Sequence, residues 1–126
     1  MKLFTVSQAN KLLAFVRPKL ETIKSQYEKI AIYRESAKAA AIAANEHGGG
    51  GMAGGTQYVK SLYEIGKLTT EIHALGIEFK DYTRGLIDFP SMREGRVVLL
   101  CWQLGEGDKI EWWHDAEAGF DGRQPL

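Results

Sequence analysis

The chain has 126 residues, which is sufficient for one domain with its own hydrophobic core. Sixteen lysines and arginines balance sixteen aspartates and glutamates, so no net positive field favours nucleic acid or a membrane as a partner. The single cysteine excludes an internal disulfide and a cysteine-rich zinc site, and it fits a reducing compartment. Neither a signal-peptide pattern nor a run of about 20 apolar residues is present, so the predicted location is the cytoplasm.

A long first helix is predicted to begin at Thr5. Thr5 and Gln8 have the spacing of a capping box, in which each side chain accepts a hydrogen bond from a free backbone N–H. Apolar residues then recur at steps of three and four, which predicts a helix packed against another helix. Pro18 lies inside this pattern and is expected to kink or divide the helix. The stripe, interrupted only by Arg34, consists of Val6, Ala9, Leu13, Val16, Leu20, Ile23, Tyr27, Ile30, Ala37, Ala41 and Ala44.

A glycine-rich connector at residues 48–55 ends the first helix. It contains the spacing of a dinucleotide fingerprint at Gly49, Gly51 and Gly54. That fingerprint functions between a strand and a helix, whereas here an alanine-rich helix precedes it. We therefore expect a connecting loop and no nucleotide cofactor.

The second helix is predicted from Thr56 to the glycine stop at Gly76. Because the connector is short, this helix should fold back on the second half of the first one, from Leu20 to Ala44, as an antiparallel hairpin. It is about half as long as the first helix, so part of the first helix would lie uncovered and favour self-association as a dimer or larger assembly. Its predicted buried stripe is Tyr58, Leu62, Ile65, Thr69 and Ile72.

The remaining residues read as an antiparallel sheet of three or four strands. Short strands are predicted at 77–80 and at 86–89, the second ended by Pro90, which cannot donate to a ladder. A central strand at 96–102 is apolar on both faces, and a hairpin loop leads from it to a strand at 110–114.

The predicted fold class is therefore α+β, with a helical hairpin at about 5–75 and a sheet with its tail at about 76–126. The two parts would form a single domain over residues 1–126.

Several short motifs lie along the chain from one end to the other. They are Phe4-Thr5-x-x-x-Ala9-Asn10-x-Leu12-Leu13, Gly76-Ile77-x-Phe79-Lys80-Asp81, Gly85-Leu86-Ile87-Asp88-Phe89-Pro90, Gly95-Arg96-x-Val98-x-Leu100-Cys101-Trp102, Gly105-Glu106, Trp113-His114 and Gly119-Phe120-x-Gly122-Arg123-x-Pro125-Leu126. In these motifs the chain resembles DUF2203, a family of small prokaryotic proteins of unknown function. The resemblance covers nearly the whole chain apart from the glycine-rich connector, and it implies no assigned activity.

His114 is the strongest candidate functional residue, since an imidazole acts as a base, an acid or a metal ligand near neutral pH. With Asp88 and Glu106 it makes a workable ligand set for a divalent metal ion. Arg123 and Arg96 are candidate contacts for an anion or another ligand. A structural interpretation stays open, in which His114 fills an aromatic corner and Asp88 caps a turn or pairs with an arginine.

Cys101 is most simply a small buried hydrophobic residue. It would share a face with His114 in one register of the last hairpin and face away in the other, because a slip of one residue reverses every side chain. Two functions remain open at this point: binding of a metal or small ligand at the strand ends, with or without catalysis, and a non-catalytic interaction module that self-associates through its long helix.

Overall fold

The structure is a computed structural model, and it describes residues 1–47 and 55–126. The predicted connector at 48–55 lies outside the described residues except for Gly55, which is the first residue of the second helix. The α+β architecture is confirmed, but the sheet has five strands where three or four were predicted, because residues 124–125 in the polar tail pair with the fourth strand. The elements are α1 (Val6–His47), α2 (Gly55–Ala74), β1 (Glu78–Asp81), β2 (Leu86–Arg93), β3 (Arg96–Trp102), β4 (Trp112–Asp115), a 3-10 turn (Phe120–Gly122) and β5 (Gln124–Pro125).

The capping box at the start of α1 is confirmed. The Thr5 backbone N–H donates to Oε1 of Gln8 at 2.9 Å, and the Gln8 backbone N–H donates to Oγ1 of Thr5 at 3.1 Å. The helix is not divided at Pro18 and runs on to His47. Its predicted stripe is buried at Ala9, Leu13, Val16, Leu20, Ile23 and Ile30.

Helix α2 lies antiparallel to α1, as two polar contacts show. Ser61 donates to Gln26 at 2.7 Å, and Lys19 donates to Glu71 at 2.7 Å. The predicted α2 stripe was wrong at Leu62, whose side chain faces solvent with 44% of its surface exposed. The buried face of α2 is rotated slightly and consists of Ser61, Ile65, Leu68 and Ile72.

The five strands form an antiparallel sheet in chain order, so each strand pairs with the next one along the sequence. One face of this sheet belongs to the same apolar cluster as the buried residues of α1 and α2. The loop between β3 and β4 is also fastened to α1: the Ile110 N–H donates to Oδ1 of Asn10 at 2.8 Å, and Arg17 donates to the Gly107 carbonyl at 2.8 Å. The core-facing sheet residues are Ile87, Phe89, Val98, Leu100, Trp102 and Trp113.

The prediction that Pro90 ends its strand was wrong, because β2 continues to Arg93. The Pro90 carbonyl accepts the Phe4 N–H at 2.7 Å, on the edge of β2 that faces away from β3. In an extended strand the nitrogen of a residue points to the same side as its carbonyl, so the missing N–H of Pro90 removes no bond to β3.

Side chains alternate between the two faces of a strand, so the residues between the core-facing ones point to the opposite face. Asp88 therefore lies on the face of the sheet away from the helices, as do Cys101 and His114, and all three are buried. Among the described residues, no helix is both long and apolar enough to cross a membrane.

Candidate metal centre

Three neighbouring strands each contribute one ligand-type side chain to the outer face of the sheet. Asp88 on β2 is the direct cross-strand partner of Cys101 on β3, and His114 on β4 pairs with Leu99, two residues from Cys101. One ligand atom from each of the three side chains lies within 4.8 Å of the other two, and the described residues contain no other group of this kind. The structure thus brings together a nitrogen, a sulfur and an oxygen ligand.

The His114 ring is held through both of its nitrogens. Nδ1 lies 2.9 Å from the Asp115 carbonyl, and Nε2 lies 3.2 Å from each carboxylate oxygen of Asp88. A carbonyl oxygen only accepts, so Nδ1 carries a proton and donates it. In the neutral ring, Nε2 then has a lone pair directed at the carboxylate. This arrangement requires a cation between the two groups, either a proton or a metal ion.

The backbone after β4 keeps the ring in this orientation. The same Asp115 carbonyl also accepts the Ala118 N–H at 3.0 Å, so the turn and the ring share one acceptor. A histidine that donates through Nδ1 to a backbone carbonyl presents Nε2 for ligation, which is the common arrangement around metal-binding histidines.

Burial controls the acidity of the other two groups. It raises the pKa of the Asp88 carboxyl above its ordinary value, and the charge of His114 and a hydrogen bond from the Cys101 thiol counteract this only in part. Burial, followed by the negative charge of Asp88, raises the pKa of the Cys101 thiol to about 12. Without a cation, the cysteine is therefore a neutral thiol at physiological pH.

A cavity of about 260 Å³ opens beside the three residues. Asp88, Cys101, His114 and Lys80 are among its lining residues, and the other lining side chains are mainly apolar. The apolar and backbone lining is provided by Leu86, Leu99, Ala116, Ala118, Gly119 and Phe120.

Phe120 forms a wall of this cavity and is held by two cations. The Arg84 guanidinium lies 4.0 Å from the centre of the Phe120 ring, and the Arg123 guanidinium lies 4.6 Å from it. Arg123 also lies 4.8 Å from the centre of the Trp112 ring. Such cation–π contacts are attractive, so they hold the residues after β4 against the sheet.

The structure does not bring Glu106 to this cluster. Glu106 belongs to the loop between β3 and β4, where Oε1 accepts the Gln103 N–H at 3.0 Å and Oε2 accepts Arg123 Nη2 at 2.6 Å. Both carboxylate oxygens thus have partners in the loop and the tail. Arg123, which we predicted as a ligand contact, is the ion-pair partner of Glu106.

The other predicted contact, Arg96, lies at the start of β3. Its Nε donates to Oδ1 of Asp115 at 2.8 Å, and Nη1 is 3.6 Å from Glu94. Through Asp115, Arg96 stabilises the turn whose carbonyl holds the His114 ring. Arg96 therefore lies beside the cluster and helps to hold the His114 ring in its orientation.

The family model of DUF2203, described as an uncharacterized conserved protein, matches residues 2–126. The chain belongs to the DUF2203 family. No curated protein and no solved structure matches it.

In this DUF2203 chain, Cys101 was not among the metal ligands predicted from the sequence. The hairpin pairs Cys101 with Trp112 and Leu99 with His114, which places Cys101 and His114 on one face. The ladder between the two strands begins at Trp112, and Ile110 lies outside it with its N–H donating to Asn10 on α1. The sequence left the choice between the two registers open, and the pairing of β3 with β4 in the structure decides it.

Proposed function

We propose that this protein binds a divalent metal ion of the zinc class through Asp88, Cys101 and His114. The observation that carries the proposal is the His114 ring, whose Nδ1 is committed to a backbone carbonyl while Nε2 faces a carboxylate at 3.2 Å. A metal ion between Nε2 and the carboxylate satisfies both groups. Metal-ligand bonds of about 2.0 Å to nitrogen and oxygen in a tetrahedral site separate those two atoms by about 3.3 Å.

The ligand types favour zinc over magnesium or calcium. A thiolate and an imidazole are soft or borderline ligands, whereas magnesium and calcium prefer sites built from oxygen atoms. The sulfur lies within 4.8 Å of the other two ligand atoms, so a small rotation of the Cys101 side chain would complete the set. Three protein ligands leave a fourth position for water or another small ligand.

A cysteine nucleophile activated by histidine is supported less well. Such a pair needs the histidine to accept the thiol proton through one nitrogen while a carboxylate orients the other. Here the carboxylate lies at Nε2 and a backbone carbonyl occupies Nδ1. The pKa of about 12 also keeps the Cys101 thiol protonated. These observations favour metal binding over covalent catalysis.

The test is cobalt and zinc binding by the full chain, prepared without an affinity tag. We expect one metal ion per chain, and the cobalt form should show the near-ultraviolet charge-transfer band of a thiolate ligand. Asp88→Asn, Cys101→Ser and His114→Gln should each weaken binding. Two matched controls should bind the metal as the unchanged chain does. They are His73→Gln, at an exposed histidine, and Glu106→Gln, at a carboxylate outside the cluster.

Absence of metal uptake by a folded chain would overturn the proposal, and so would equal loss of binding in the Glu106→Gln control. Circular dichroism of each variant separates a lost ligand from a lost fold. A thiol ligand also requires a reducing compartment, which supports the cytoplasm as the location of the protein.

A second proposal, independent of the metal, is self-association through α1. Helix α2 has 20 residues against 42 in α1, and its described contacts run from Tyr58 beside Tyr33 to Glu71 beside Lys19. Ile32 on α1 is exposed over 66% of its surface. A second copy of the chain would cover such apolar surface.

A further inference from the structure

The cavity beside the metal centre is lined by both polar and apolar side chains, as expected of a site for a small amphipathic molecule. Its lining includes the polar groups of Asp88, Cys101 and His114, whose ligand atoms lie within 4.8 Å of one another. The large apolar side chains of the lining are Leu86, Leu99 and Phe120. Pockets of this type bind ligands that have one polar group and an apolar body.

An open coordination position on the proposed metal ion would face this cavity. All three ligand residues line it, and their backbones lie in the sheet behind them. A ligand that completes the metal coordination from the open side therefore enters through the cavity. Its remaining atoms would contact the apolar wall.

The positive charge of Lys80 favours an anionic head group, because the proposed metal centre itself would carry no net charge. A divalent ion with one thiolate and one carboxylate ligand is neutral as a centre, which makes it a weaker activator of water than a site with three neutral histidines. Lys80 lines the same cavity, and its positive charge acts on Asp88. Its ion pair with Glu78, at 2.8 Å, is partly exposed, and exposed pairs of this kind are weak enough to exchange partners.

We infer that the cavity binds a small carboxylic acid with a compact apolar body. The carboxylate takes the open position on the metal ion and contacts the Lys80 ammonium group. The apolar body lies against Leu86, Leu99 and Phe120. This inference rests on the proposed metal binding and names the ligand class of that site.

The test uses the cobalt-loaded full chain at one pH, titrated with benzoate and followed by the visible absorption of the cobalt ion. We expect benzoate to shift these bands with saturation, because a carboxylate replaces water at the metal. Acetate, which lacks the apolar body, should bind more weakly. Benzyl alcohol, which has the ring but no charge, should leave the bands unchanged.

Lys80→Met should raise the benzoate dissociation constant by roughly two- to fivefold, the range for one partly exposed charge contact. Because the Lys80 charge also acts on Asp88, the benzoate titration uses the variant fully loaded with cobalt, so that a change in cobalt affinity does not enter the benzoate dissociation constant. The matched control is Lys109→Met, at an exposed lysine of the β3–β4 loop that does not line the cavity. That variant should bind benzoate as before.

Cobalt uptake without a spectral response to benzoate would overturn this inference and leave the metal proposal standing. Equal affinities for acetate and benzoate, or no effect of Lys80→Met, would overturn the assigned ligand class. A folded chain that takes up no cobalt would overturn both proposals.

Discussion

Zinc binding by the full chain should become much tighter as the pH rises, because the metal ion has to displace protons from its ligands. The Cys101 thiol holds one of them, since its pKa is about 12 and the metal binds the thiolate. The second lies between Nε2 of His114 and the Asp88 carboxylate, where two facing acceptors require a cation. We therefore expect about two protons to be released per zinc ion near neutral pH.

The direction of this pH dependence follows from the raised pKa values of Cys101 and Asp88, which both favour the protonated, metal-free state. At lower pH, protons compete more strongly with zinc for these ligands, so the zinc affinity falls on acidification and rises with pH. Two protons correspond to a change of about 100-fold in the dissociation constant per pH unit, or about 2.7 kcal/mol.

Isothermal titration calorimetry in buffers of different ionisation enthalpy measures this number directly. The buffer takes up the released protons, so the slope of the observed binding enthalpy against the buffer ionisation enthalpy is negative and its magnitude equals the number of protons released. Cys101→Ser should lower that magnitude by about one, since a serine hydroxyl stays protonated. A magnitude below one in the unchanged chain, or the same magnitude in the Cys101→Ser variant, would refute the assigned ligands.

Two further predictions concern the helices. Ile30→Asp should lower the free energy of unfolding by several kcal/mol, because Ile30 is 2% exposed and burial of such a side chain contributes roughly 1.5–3 kcal/mol before the charge is considered. Leu62→Asp, on the exposed face of α2, should change the free energy of unfolding by less than about 0.5 kcal/mol. If urea unfolding shows equal effects for the two substitutions, the packing of α1 on α2 is contradicted. Sedimentation at high micromolar concentration should show a dimer or larger assembly, and a monomer there would exclude self-association through α1.

Sequence reasoning succeeded where short-range chemistry decides the structure. The capping box of Thr5 and Gln8 involves residues three positions apart, and the periodic burial of α1 follows from helix geometry alone. Alternation and turn residues likewise predicted β-strands after α2. Asp88 and His114 were singled out because a carboxylate and an imidazole in apolar strands need partners.

The sequence by itself therefore determined the α+β class, the order of the two helices and the first four strands, and two members of the candidate site. Tertiary structure alone decided which side chains meet. Cys101 joins Asp88 and His114 because the register of the last hairpin places all three on one face, and a shift of one residue would have turned Cys101 away. Glu106 is held in the loop by Arg123, a partner 17 residues away. Register and long-range pairing depend on the whole sheet and on its contacts with α1, so no local pattern determines them.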